Sequence, residues 1–150
     1  EVFFETQPPE AAIRRYFGSI LQNITLCPYF QAAARLDYIC RYIPQPRPEF
    51  HYEQYADVLD PILRYLIDNG KALEVNTAGL KKGLPWPNPH MEILKRYRAL
   101  GGELITIGSD AHRPEDIAYA FDRLPDILTE AGFQYYALYR SQQPVFIPIS

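Results

Sequence analysis

Cysteine and methionine are scarce in this sequence. Its two cysteines, Cys27 and Cys40, lie far apart without a CxxC spacing, which excludes a disulfide scaffold and a cysteine-rich zinc site. A reducing cytoplasm is therefore the location that we expect. Residue 1 is Glu and the only methionine is Met91, so we also expect that the sequence is not a complete reading frame and that a segment is missing upstream.

The sequence also lacks a basic excess and long apolar runs. Its 15 Lys and Arg against 18 Asp and Glu give a formal net charge of −3, so it has no broad cationic surface for a nucleic acid. No apolar run approaches the roughly 20 residues that span a bilayer, so we expect no membrane segment. With 47% apolar residues, a chain of this length can bury roughly 70% of its unfolded surface. We therefore expect residues 1–150 to form a single domain.

The pattern of apolar residues predicts alternating helices and strands. Connections of this kind suit right-handed parallel crossovers, so the predicted class is α/β, and the length suits an open sheet or part of a barrel because a complete eightfold barrel takes about 250 residues. The predicted elements are a helix over 9–23, a strand in the stretch 30–39 that ends in 36–39, a proline-rich loop at 44–48, a helix over 52–69, a strand at 73–76, a loop over 77–88, a helix over 91–100, a strand at 104–107, a helix over 113–131, and closing strands at 135–139 and 145–149.

Polar side chains follow the predicted strands at their carboxyl ends, where parallel α/β folds bind ligands. Asp110 and His112 end the clearest strand and form a pair that a divalent cation accepts, although an isolated Asp-x-His is more often a turn acid and a surface histidine. Glu74 and Asn76 end another strand, where they could contact a substrate or simply close the strand.

Cationic side chains and the other histidines complete the set of candidates. Arg41 and Lys81 follow predicted strands and could neutralise a phosphate, or they could be solvated loop charges. His51 and His90 have no second ligand-type residue at a suitable spacing, so we predict no metal role for either.

Four segments of the sequence, in order, resemble the C-terminal part of histidinol-phosphate phosphatases of the polymerase and histidinol phosphatase (PHP) family. This resemblance implies part of a distorted (β/α)₇ barrel that binds two or three divalent metals, usually zinc, iron or manganese. It also implies the hydrolysis of L-histidinol phosphate to L-histidinol and phosphate in histidine biosynthesis, with a small phosphate ester as the ligand. The segments are LDYICRY (36–42), ALEVNTAGLKKG (72–83), EILKRY (92–97) and GGELITIGSDAHRPED (101–116).

The resemblance also assigns roles to individual residues. Asp110 and His112 match the last metal motif of the family, Arg41 matches a phosphate-contacting arginine, and Lys81 falls near another cationic substrate position. The family's N-terminal His-x-His strand and its further ligands have no counterpart here. Arg35 stands where the family has a ligand histidine before Leu-Asp, and a guanidinium offers no lone pair to a cation.

Three hypotheses follow from these matches and departures. The first is a phosphatase-derived chain that has lost catalysis and holds little or no metal, with an anion pocket lined by Arg35, Arg41 and Lys81. The second is the C-terminal piece of an active enzyme whose other half is supplied separately or was removed. The third is an interaction module that self-associates, because half a barrel exposes strand edges and apolar faces.

Overall fold

A computed structural model of the chain describes residue 4 and residues 6–149. No helix within this part is both long enough and apolar enough to cross a membrane. Short 3-10 helices lie at Tyr38–Tyr42, Tyr52–Tyr55, Pro114–Asp116 and Phe121–Arg123. The α-helices are α1 (Pro9–Leu26), α2 (Ala56–Asp68), α3 (Ala78–Lys81), α4 (Met91–Ala99) and α5 (Leu124–Ala131), and the strands are β1 (Ala32–Ala33), β2 (Ala72–Asn76), β3 (Ile105–Gly108), β4 (Tyr135–Arg140) and β5 (Gln143–Pro148).

The longer helices form where the apolar spacing predicts them. Helix α1 begins at Pro9, which occupies a first-turn position where a missing N–H is harmless. Helix α2 ends before Gly70, whose φ of +63° suits a residue without a Cβ. Both helices bury one apolar face, formed by Ala12, Ile13, Phe17 and Ile24 in α1 and by Leu59, Ile62, Leu63 and Leu66 in α2.

The centre of the fold is a three-stranded parallel sheet in the order β1-β2-β3. Leu73 and Val75 in the middle strand are completely buried, and α2 and α4 occur in the two crossovers. The predicted α/β class is confirmed in this coarse form. Since parallel strands end at the same edge, the loops after β1, β2 and β3 meet there.

The first strand lies earlier than the sequence predicts. The structure places the strand at Ala32–Ala33, whereas residues 38–42, which include the last two residues of the predicted strand end, form a 3-10 helix. The chain turns at Arg35, whose φ is +59°. Asp37 is fully buried with its carboxylate bound to residues of a distant loop, and a β ladder would not bring it there.

The predicted helix over 113–131 is correct only in its last part. Residues 114–116 and 121–123 are separate 3-10 turns, and Ala118 and Ala120 between them have φ of 55°. Helix α5 starts only at Leu124, directly before Pro125, which lacks the N–H that a continuous helix would need at that point. Similarly, the predicted loop over 77–88 contains the short helix α3.

The two closing strands exist but do not extend the parallel sheet. Strands β4 and β5 pair with each other in antiparallel register, joined by Ser141 and Gln142. Both turn residues have positive φ, 48° and 64°, as a tight two-residue hairpin requires. A parallel connection needs a crossover of a dozen or more residues, so a two-residue turn permits only the antiparallel pairing.

Candidate functional site

Two loops at the carboxyl edge of the sheet meet through an ion pair. Arg35 lies in the loop after β1 and Asp110 in the loop after β3, and Nη2 of Arg35 donates to Oδ1 of Asp110 at 3.1 Å. Both residues adopt positive φ, 59° and 54°, which turns each side chain away from its strand direction. The hydrogen bond and charge of Asp110 raise the pKa of Arg35 above its usual value. The guanidinium is therefore always charged.

A second guanidinium, that of Arg41, approaches the carboxylate of Asp110. Arg41 is only 6% exposed at its side chain, and its Nη1 lies 3.9 Å from Oδ2 of Asp110. Its Nε donates to Oδ1 of Asn88 at 2.6 Å. The Tyr38 ring lies against both arginines, with centroid distances of 4.6 Å to Arg41 and 5.1 Å to Arg35, within cation–π range. Both guanidiniums are thereby held at one place.

Asp37 anchors this arrangement and was not singled out from the sequence. It accepts hydrogen bonds from Nδ2 of Asn88 at 2.8 Å and from the main-chain N–H of His90 at 2.7 Å. Its burial raises the pKa of its carboxyl group to about 6. Asn88 therefore links a buried acid to Arg41. An acid inside an apolar stretch was the available signal, because buried acids need partners of this kind.

Glu74 and Asn76 lie at the same edge, as the end of β2 predicts. Nδ2 of Asn76 donates to Oε2 of Glu74 at 3.3 Å, and Oδ1 of Asn76 accepts from the N–H of Ala78 at 2.9 Å. A Cβ placed on Gly108 would lie 3.0 Å from Oε1 of Glu74, so this carboxylate passes close to the end of β3. Asn76 is consequently engaged by its own turn.

His112 and Lys81 are placed differently from the arginines. His112 is exposed, and its ring Nδ1 lies 2.7 Å from the main-chain oxygen of Asp110, which fixes the ring beside the backbone rather than beside the carboxylate. Lys81 forms an ion pair with Asp116, a residue that is itself 9% exposed. Lys81 is therefore neutralised by an acid of its own.

The side chains at this edge of the sheet do not match the divalent metal that the resemblance implies. The described residues contain no group of three or more His, Cys, Asp or Glu side chains able to hold a metal ion. In addition, the carboxylate of Asp110 faces the guanidiniums of Arg35 and Arg41, and these cations would repel a divalent ion. The residues present therefore do not fit a catalytic metal site, which usually has three protein ligands.

The arrangement is better suited to an anion. Two guanidiniums offer N–H groups that match the oxygens of a phosphate, and Arg35 is half exposed, with 52% of its side chain accessible. Asp110 holds both cations in place as an internal counter-ion. A phosphate monoester could bind where this carboxylate now contacts the arginines.

Sequence comparison relates this chain to proteins named histidinol-phosphatase, and no family model matches it. It is 33% identical to a probable histidinol-phosphatase of Clostridium acetobutylicum over 121 residues, 81% of this chain and 47% of that protein. It is 36% identical to a probable histidinol-phosphatase of Thermotoga maritima over 135 residues, 89% of this chain and 54% of that protein. The resemblance drawn from the sequence motifs is thus confirmed, and the chain spans about half the length of these relatives.

Structure comparison agrees at the level of the fold. The crystal structure of histidinol phosphate phosphatase from Lactococcus lactis, complexed with zinc, L-histidinol and phosphate, matches with a TM-score of 0.77 and 24% identity. The match covers 95% of this chain and 54% of that one.

Proposed function

We propose that this chain takes part in the hydrolysis of L-histidinol phosphate to L-histidinol and phosphate, a step in histidine biosynthesis. Its own contribution is to hold the phosphate group of the substrate. The supporting observation is the convergence of Arg35 and Arg41 on Asp110 at the carboxyl edge of the parallel sheet. This position corresponds to the usual ligand-binding edge of parallel α/β folds. The similarity to proteins named histidinol-phosphatase over most of the chain supports the choice of this reaction.

The same proposal covers the architecture. Residues 1–150 form one unit that corresponds to a portion of a distorted (β/α)₇ barrel, with β1, β2 and β3 as consecutive barrel strands. The parallel order of these strands and the crossovers through α2 and α4 support this interpretation. In such a barrel, the remaining strands come from sequence outside the described residues.

In our proposal, the isolated chain binds the phosphate ester but does not hydrolyse it. The relative from Lactococcus lactis holds zinc, and a divalent metal, whether zinc, manganese or iron, would lower the pKa of a water for attack on phosphorus. Asp110 and His112 are the donors that this chain would offer, and the guanidinium of Arg35 opposes a cation at Asp110. In our proposal, the two arginines bind the phosphate, and Glu74 and Asn76 lie at the same edge of the sheet. Lys81 is a weaker candidate because it is paired with Asp116.

Binding and turnover can be measured separately. Phosphate-ester binding is followed by calorimetry with L-histidinol phosphate in the presence of a chelator, and turnover by phosphate release with added zinc or manganese. We expect saturable binding, no turnover, and about a tenfold loss of affinity in Arg41→Gln, because one charge-assisted contact is removed. Arg41→Lys keeps the charge, and Arg123→Gln, at an exposed residue, is the matched control.

Two results would contradict this function. Turnover by the purified chain with stoichiometric tightly bound metal would show that the ligand set is sufficient. Unchanged affinity in Arg41→Gln, with circular dichroism showing a folded variant, would show that the phosphate binds elsewhere.

A non-catalytic scaffold that associates with itself or with another half is the second candidate. Within the described residues, β1 and β3 each pair with β2 alone, which leaves sheet edges open. The hairpin exposes large apolar side chains: Tyr135, Leu138, Val145 and Phe146 are 47%, 42%, 37% and 48% accessible. Such patches commonly mark interaction surfaces. A strictly monomeric species by light scattering at micromolar concentration would exclude self-association, and loss of a dimer in Phe146→Gln but not in Ile117→Gln would support it.

A cytoplasmic location belongs to the same proposal. Cys27 is exposed and Cys40 partly buried, and both are free thiols, as a reducing compartment favours. Localisation of the tagged full-length gene product by microscopy would test this location.

A further inference from the structure

A cavity lies near the arginine site formed by Arg35 and Arg41, and Asp37 is one of its lining residues. It has a volume of about 430 Å³ and opens between the loop after the 3-10 helix at Tyr38–Tyr42, the loop after α3, and the start of α1. Its size falls within the range of small-molecule sites. We call it the loop cavity; its walls include Glu10, Asp37, Arg47, Glu49, Phe50, Tyr55, Trp86 and His90.

Four rings form one continuous wall of the loop cavity. Tyr55 stacks on Phe50 with 5.5 Å between ring centroids, Phe50 lies 4.7 Å from His90, and His90 lies 4.1 Å from Trp86. Such a wall presents apolar faces with negative electrostatic potential at their centres. It therefore suits a flat ring or a cation that contacts aromatic faces.

His90 is neutral in this wall. Its Nδ1 accepts a hydrogen bond from the N–H of Glu92 at 3.0 Å, so the ring proton sits on Nε2 in the neutral tautomer. Burial lowers the pKa of the imidazole to about 4. An uncharged imidazole does not repel a cation that approaches Trp86 or Phe50.

The charges on the remaining walls are mainly negative. The exposed carboxylates of Glu10 and Glu49 line the cavity together with one cationic side chain, Arg47. Asp37 also contributes to the wall, but it is buried and its carboxylate is bound to Asn88 and the N–H of His90. The guanidinium of Arg47 donates to the main-chain oxygens of Ile43 at 3.4 Å and of Arg41 at 3.2 Å, so it is held by backbone acceptors. The exposed carboxylates of Glu10 and Glu49 thus favour a positively charged ligand.

We propose that the loop cavity binds a small organic cation with a flat ring, that is, an arylalkylamine. The ring would pack against the aromatic wall, and the ammonium group would be attracted by the carboxylates of Glu10 and Glu49 and by the ring faces. This site is separate from the arginine site, which suits an anion, and goes beyond the proposed function. The two sites are connected through Asn88, which accepts from Arg41 and donates to Asp37, and through Arg47, which donates to the main-chain oxygen of Arg41.

The cavity carries its own reporter. Trp86 is the only tryptophan of the sequence and lies in the cavity wall, so its fluorescence responds directly to an occupant. The probes are phenethylamine, the uncharged phenethyl alcohol, and the anionic phenylacetate. We expect a saturable change with phenethylamine, an affinity about fivefold lower for the alcohol because the cation contributes on that scale, and no saturation with phenylacetate.

Charge variants test the same proposal from the protein side. The double variant Glu10→Gln and Glu49→Gln removes two exposed carboxylates and should weaken phenethylamine about fivefold without changing the alcohol. Glu53→Gln, an exposed acid outside the cavity walls, should leave both unchanged. Equal affinity for the alcohol and the amine, tighter binding of phenylacetate, or no saturable change with any probe would overturn the proposal. None of these outcomes bears on phosphate binding, which is measured at the arginines.

Discussion

Nη2 of Arg35 lies 3.1 Å from Oδ1 of Asp110, although 75 residues separate the two in sequence. A cationic side chain thus lies next to the carboxylate that the family resemblance predicts to be a metal ligand. The pair is partly exposed, with 52% of the Arg35 side chain and 21% of the Asp110 side chain accessible, so its contribution to stability is small. Its main consequence is electrostatic, because it favours anions and opposes cations at this edge.

Replacing Arg35 by His should increase metal affinity. The change removes the guanidinium from Asp110 and introduces an imidazole lone pair at the end of β1, so two ligands can act together. We expect zinc to bind at least about tenfold more tightly, measured by competition with a chromogenic chelator. Arg123→His, at an exposed residue of the 3-10 helix before α5, controls for the added histidine. Equal zinc affinity in the wild type and Arg35→His would contradict the repulsion argument.

Replacing Asp110 by Asn should strengthen phosphate binding. The carboxylate competes with a phosphate for Arg35 and Arg41, and an amide of the same shape competes far less. Asn also tolerates the φ of 54° at this position. We expect the affinity for inorganic phosphate to rise several-fold, on the order of three- to tenfold, in calorimetry at low salt.

One control variant and one contrary outcome define the interpretation of the Asp110 change. Asp110→Ala should show a similar gain in affinity but lower stability by about 1 kcal/mol more than Asn, since Ala is strained at positive φ. Weaker phosphate binding in Asp110→Asn would mean that the carboxylate is needed to hold the arginines in place, and that positioning outweighs competition.

The sequence predicts which residues lie at the carboxyl edge of the sheet better than it predicts the contacts among them. Alternation of apolar segments was sufficient to place Glu74, Asn76 and Asp110 at strand ends, because the carboxyl ends of parallel strands meet regardless of detail. The sequence analysis grouped Arg35 and Arg41 in one anion pocket, but it could not predict that both would pair with Asp110. That contact depends on the positive φ of Arg35 and on the 3-10 helix after it, both of which are set by tertiary packing.

The two misplaced elements have different physical causes. The strand expected to end in 36–39 and the helix over 113–131 both read as regular from apolar spacing, yet buried polar partners and proline decide their geometry. Asp37 is bonded to the loop before α4, and Pro125 sits at the start of α5. The hydrogen bonds of Asp37 are long-range, so local sequence patterns cannot predict them. The effect of Pro125 on the helix start is local, but apolar spacing alone does not account for it.

Stability should depend on pH through two buried groups with opposite signs. The folded-state pKa of Asp37 is raised to about 6, so its stabilising contribution is present at low pH and lost as pH rises from about 4 to 6. The folded-state pKa of His90 is lowered to about 4, so its protonation destabilises the fold as pH falls from 6.5 towards 4. Arg41 faces Asp37, and His51 and Glu92 face His90. Over this window the two effects oppose each other.

The variant His90→Asn separates the two groups. Asn retains the acceptor that caps helix α4 but does not titrate, so the stability of the wild type relative to the variant should rise by about 3 kcal/mol between pH 4 and 6.5. The variant alone should lose stability over this range because only Asp37 remains. Urea denaturation at several pH values measures both, and His112→Asn, at an exposed histidine, is the matched control. A pH-independent difference between wild type and variant would show that His90 keeps an ordinary pKa.

Gly79 connects the fold to the arginine site, because it leaves room for Asn88. A Cβ on Gly79 would lie 2.9 Å from Oδ1 of Asn88 and 2.9 Å from the main-chain oxygen of Trp86, and a backbone atom cannot move away cheaply. Gly79→Ala should therefore lower the free energy of unfolding by about 1–3 kcal/mol and weaken phosphate binding, since Asn88 orients Arg41. Gly18→Ala, in α1 where a Cβ meets nothing within 4 Å, should instead stabilise the fold by about 0.5–1 kcal/mol. Denaturation and calorimetry on both variants test this, and equal stability of Gly79→Ala and Gly18→Ala would rule out the close approach.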